Sequence, residues 1–93
     1  MPAVSLDLTA SPSDDVQSYW ITVHDQPVTM NNDAGSVNLA SPGTYILVWH
    51  FIGNEGATVG IQGDVNGSTV VQVKQSTIPA GQISGAGISR FSV

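Results

Sequence analysis

One stretch limits what this chain can become: Ser41-Pro42-Gly43-Thr44-Tyr45-Ile46-Leu47-Val48-Trp49-His50-Phe51-Ile52. A Pro-Gly corner leads into the longest apolar run of the sequence. Successive side chains of a strand point to opposite faces. Tyr45, Leu47, Trp49 and Phe51 therefore share one face, and Ile46, Val48, His50 and Ile52 share the other. A strand with large apolar residues on both faces belongs in the middle of a sheet, with something packed on each side. As a helix the run would be far too short to span a bilayer, which takes about 20 apolar residues.

The other segments carry the same period of two. Val4, Leu6 and Leu8 alternate with Ser5, Asp7 and Thr9. In residues 18–25, Tyr19, Ile21 and Val23 point one way while Trp20, Thr22 and His24 point the other. Residues 36–39 form a short strand, and Ala57, Val59 and Ile61 mark another. Between them lie turn clusters rich in Pro, Gly, Asn and Asp: residues 10–15, 31–35, 53–56 and 76–82. Asn66-Gly67 marks a hairpin. A two-residue loop there would set Ile61 opposite Gln72 and mix the faces. Face consistency instead predicts a three-residue loop, 65–67, closed by a glycine bulge, with residues 68–75 as the partner strand. Residues 83–87 hold too much glycine for a regular strand. A bulge within residues 88–93 is expected to bring Ile88, Phe91 and Val93 onto one face. No amphipathic helix is visible.

About seven short strands in 93 residues predict one all-β domain, residues 1–93: an antiparallel β-sandwich, immunoglobulin-like in style. A small closed β-barrel is the runner-up. The run through Leu39, Pro42-Gly43-Thr44-Tyr45 and the strand after it resembles the E–F corner of immunoglobulin-like and fibronectin-like sandwiches. The resemblance implies that Tyr45 caps the corner by bonding back to the main chain. In those domains one further strand follows, whereas here nearly forty residues do.

Charge narrows the partners. The net charge is −5, and Lys74 and Arg90 are the only basic residues. Such a chain repels phosphate, which argues against nucleic acid and anionic membrane surfaces. Only 10% of residues are charged, so solubility rests on Ser, Thr, Asn, Gln and Gly. That composition leans towards an extracellular or cell-surface setting. The first residues lack a basic region and a long apolar segment, so no signal peptide is expected in this sequence. There is no cysteine, hence no disulfide framework and no thiolate chemistry.

No catalytic constellation emerges. No serine sits in a glycine-flanked elbow before a helix, and Asp14-Asp15 lie on a loop. His24 and His50 are two ligands where zinc needs three or four. Asp25 or Asp64 would have to complete such a site, so no metal or cofactor is expected. Asn31-Asn32-Asp33 and Asp64-Val65-Asn66 miss the calcium-loop spacing.

The outward face of the central strand carries the functional expectation. An apolar sheet face needs covering. The C-terminal segment could fold over it. Ile46, Val48 and Ile52 could form a homo-oligomer interface. Alternatively, Trp20, His24 and His50 could form a ligand platform, with the indole stacking on a sugar ring. The sequence thus predicts a non-enzymatic binding or adhesion module for a glycan or a protein. The alternative is a structural subunit of a virion or surface assembly that associates through this face.

Overall fold

Each long segment of period two becomes a strand. A computed structural model, describing residues 2–93, contains β1 (Ala3–Pro12), β2 (Val16–Val23), β3 (Gln26–Pro27), β4 (Ala34–Ala40), β5 (Thr44–Gly53), β6 (Thr58–Val65), β7 (Ser68–Thr77) and β8 (Ser84–Ser92). Two antiparallel four-stranded sheets result, with orders β4-β1-β6-β7 and β3-β2-β5-β8. They do not close into a barrel. Among the described residues no helix is long and apolar enough to cross a membrane.

The nearly forty residues after β5 first add the β6–β7 hairpin to the sheet of β1. The chain then returns to the other sheet as β8.

The core is the space between the sheets. Leu6 and Leu8 of β1, Ile21 and Val23 of β2, and Val59 and Ile61 of β6 are all buried there. From β5, Leu47, Trp49 and Phe51 fill the centre. No polar or charged residue is buried among the described residues, so the core rests on apolar packing and not on buried ion pairs.

The corner tyrosine is present. The Tyr45 hydroxyl donates to the Ala40 carbonyl at 2.7 Å. Its ring lies so close over Gly43 that a Cβ there would stand 2.8 Å from Cε2. This explains a glycine at that point of the corner, where β4 passes to β5.

Three sequence expectations need correction. Asn66 and Gly67 both have positive φ, 53° and 80°, and Val65 pairs directly with Ser68. The hairpin loop is therefore the two-residue form that Asn-Gly favours, not a three-residue loop. Face consistency is restored inside the ladder: Asp64 pairs with Thr69 but Gly63 with Val71, so Val70 is the extra residue of a bulge. A second shift opposite Gly60 follows. In the last strand no bulge occurs. β8 pairs with β5 without interruption from Ser84 to Ser92, which buries Phe91 and leaves Ile88 exposed.

Residues 83–87 are also more regular than their glycine content suggests, and the reason is spatial. Gly85 and Gly87 face inwards beneath the rings of β5. A Cβ on Gly85 would stand 2.7 Å from Cε1 of Phe51, and one on Gly87 would overlap the Trp49 indole. The indole is held in place by its Nε1–H, which donates to Ser76 Oγ at 3.0 Å. Gly87→Ala should therefore destabilise the fold by about 2 kcal/mol through overpacking. Tyr45→Phe, which deletes one hydroxyl bond, should cost about 1 kcal/mol. Urea unfolding of both variants checks the order; a Gly87→Ala midpoint equal to the wild type would contradict the packing argument.

Candidate functional site

The outer face of the β3-β2-β5-β8 sheet is assembled by register. Trp20 lies opposite His50, which lies opposite Ala86; Thr22, Val48 and Ile88 form the next row; Ile46 faces Arg90. Opposed residues of a ladder share a face, so these rows form one continuous surface. Trp20 is 51% exposed, Ile46 38%, Val48 41% and Ile88 67%. The C-terminal segment does not cover this surface. It extends it, because β8 joins the sheet edge-on.

Trp20 and His50 meet as a stacked pair, with ring centroids 5.2 Å apart and planes inclined by 19°. His24 does not join them. The alternation of β2 stops at Val23, and His24 and Asp25 form the turn into β3, with φ of 48° and 67°. The His24 ring packs edge-on against Tyr45 at 5.2 Å. Ile52 is half-buried where β5 nears its end, so Ile46 and Val48 are more accessible than their expected third member.

Beside Trp20 lies an open groove of about 600 Å³ whose lining includes Gln17, Ser18, Tyr19, Trp20, Asn32 and Asp33. Two pieces of chain bring these residues together: the first half of β2 and the turn before β4. In that turn Asn32 and Asp33 have φ of 54° and 61°, and Asn31 bridges to Ala34. The Tyr19 hydroxyl donates to Asp33 Oδ1 at 2.6 Å and ties the turn to the strand. Sequence reasoning missed Gln17, Ser18, Asn32 and Asp33 as a group. Tyr19, an inward tyrosine at the end of a core strand that needed a partner for its hydroxyl, was the available signal.

A second hollow, about 360 Å³, lies on the opposite sheet where Gly60 lacks a side chain; Thr9, Gln62 and Lys74 help to line it. It offers no exposed aromatic platform. Asp64 belongs to this opposite face, where it accepts from Thr69 Oγ1 at 2.8 Å and from Gln62 Nε2 at 3.2 Å. It is thus in a different sheet from β5, which carries His50. Among the described residues no three His, Cys, Asp or Glu side chains converge as a metal site would require. Asp15 accepts from Ser13 Oγ at 2.6 Å, as a turn residue does.

Comparison with known proteins found no matching family model, no matching curated relative and no matching solved structure.

Tyr19 has an electrostatic signature. Burial first, then the hydrogen bond to Asp33 and the charge of that carboxylate, push its phenol far above the ordinary value of 10.0. The folded chain thus holds this proton more tightly than the unfolded chain does. The resulting contribution to stability is complete below about pH 10 and is lost as the pH rises further. Tyrosinate absorbance should show Tyr19 ionising well above the ordinary range in the native protein. Asp33→Asn should move that titration downwards, and Tyr19→Phe should remove it.

Proposed function

We propose that this protein is a non-enzymatic binding module whose ligand is a neutral carbohydrate held beside Trp20. The supporting observation is that half-exposed Trp20 lines the groove together with Gln17, Ser18, Asn32 and Asp33. A sugar ring presents an apolar C–H face and a rim of hydroxyls. The indole suits the first; amide, hydroxyl and carboxylate groups suit the second. His50, stacked on the indole, restricts the orientations open to Trp20, and a platform fixed before binding loses less side-chain entropy on binding. The net charge of −5 and Asp33 within the groove disfavour acidic sugars.

Titration of Trp20 fluorescence with a panel of neutral glycans is the direct test. At least one should change the emission, and Trp20→Ala should weaken its binding by about tenfold or more, equivalent to the 1.4 kcal/mol expected when an aromatic contact is lost. Silence across the panel, together with unchanged glycan retention by Trp20→Ala, would remove the reading.

A second reading rests on a different observation. Ile46, Val48 and Ile88 stand exposed in adjacent rows, and β2, β5 and β8 carry no carboxylate although the chain has seven. An apolar strip without carboxylates, bordered by Arg90, on an otherwise acidic protein suits a subunit that associates with its own kind. Val48→Lys should then lower the association state seen by sedimentation and leave the fold intact. An unchanged association state would rule the strip out as the contact.

A further inference from the structure

We propose that two copies of this chain pair antiparallel through the free edges of β8, forming one continuous eight-stranded sheet. This contact differs from association through the sheet face, and it is independent of the carbohydrate reading.

The direction of the backbone groups supports it. Gly43 and Val93 exchange both main-chain bonds, Gly43 N–H to Val93 O at 3.1 Å and Val93 N–H to Gly43 O at 2.9 Å; Gly53 N–H donates to Ile83 O at 3.0 Å. Residues 43 and 93 are thus a hydrogen-bonded pair, and such pairs recur every second residue of an antiparallel ladder. The odd-numbered residues of β8 therefore direct their backbone groups at β5. The even-numbered residues Ser84, Ala86, Ile88, Arg90 and Ser92 direct theirs away from it. β8 is the last strand of its sheet, so no strand hydrogen-bonds to that row of donors and acceptors, although β7 of the other sheet packs close to β8.

An open row of this kind is a template for another strand. The other three sheet edges are blunted. β3 is two residues long and includes Pro27. β7 has two register shifts along its ladder. At β4, the segment of residues 28–30 lies against Gly35. β8 alone is long, nine residues, and free of irregularity.

Its sequence is also self-complementary about Ile88. A two-fold axis through that residue places Ile88 on Ile88 of the second copy, Ala86 on Arg90, and Ser84 on Ser92, every pair being of the hydrogen-bonded kind. Arg90 meets alanine and not a second arginine, and no carboxylate lies on the strand. Self-pairing thus sets no carboxylate against another in a chain with net charge −5. The two-fold axis stands perpendicular to the sheet, so both outer faces look the same way. Ile88 gains an apolar neighbour, and the strip from Trp20 through Val48 to Ile88 continues into its symmetry mate.

The test combines sedimentation with amide hydrogen exchange, on the intact chain, from micromolar to millimolar concentration. The expected result is a dimer in which the amides of Ala86, Ile88 and Arg90 become protected as concentration rises, while those of Gly87 and Ser89 are protected throughout. Ala86→Pro removes an N–H that the β5 ladder does not use, so it should weaken dimerisation by about tenfold or more while the fold persists. A monomer at every concentration overturns the proposal. So does a dimer whose even-numbered β8 amides exchange freely; this wild-type measurement holds even if Ala86→Pro fails to fold. A dimer abolished by Val48→Lys but untouched by Ala86→Pro also overturns the edge contact, and leaves association through the sheet face standing.

Discussion

The close approach of two β5 rings to the backbone of β8 is the constraint on which the rest depends. Trp49 and Phe51 occupy the volume in which side chains of residues 85 and 87 would otherwise lie. With glycine at both positions β8 can lie flat beside β5, and the ladder runs from Ser84 to Ser92 without a break. With larger residues the strand would be forced outwards and the rings would lose their packing. The same contact fixes the fate of the C-terminal segment. Held edge-on by the ladder, it cannot fold across the outer face. The apolar surface around Val48 is therefore a direct consequence of how the core is filled.

Much of the architecture was legible because period-two alternation is local. The two faces of β5, the inward set Leu6 and Leu8, and the division between Ile21 and Trp20 all follow from counting by twos, and burial agrees with each. The errors arose where a non-local partner decided the outcome. Face consistency was the right criterion for the Asn66-Gly67 hairpin, but the correction sits at Val70, inside the strand, because the turn kept its favoured geometry. Apolar character alone places Ile88 inwards, whereas Trp49 fills the space inside β8 at Gly87. Alternation alone continues the second strand through His24. A His-Asp pair in a turn with φ positive at both residues carries none of the sequence signal that Asn-Gly does.

The candidate site shows the same division. Trp20 and His50 were each legible as outward residues, and cross-strand register brings them together. The groove beside them was not legible, since its polar wall comes from a turn that Tyr19 ties down through Asp33. A side-chain bond between residues 14 apart in sequence leaves no periodic trace.

The two outer faces of the sandwich differ in a way that folding does not require. On one sheet Asp7, Asp64, Gln62 and Lys74 face solvent, as a half-buried antiparallel sheet ordinarily presents itself. On the other, Trp20, Ile46, Val48 and Ile88 do so. None of these four belongs to the buried core, so replacing them with Ser or Thr would leave the packing between the sheets untouched. Their exposure lowers solubility, and cross-strand pairs such as Trp20 on His50 return only a modest stability to a lone chain. Polar residues would serve an isolated sandwich better at each position, and the carboxylates that would do so are all placed elsewhere. That cost is the observation on which the proposed contacts rest. The open edge of β8 runs along the border of the apolar face, where a second copy would enlarge the surface without covering it.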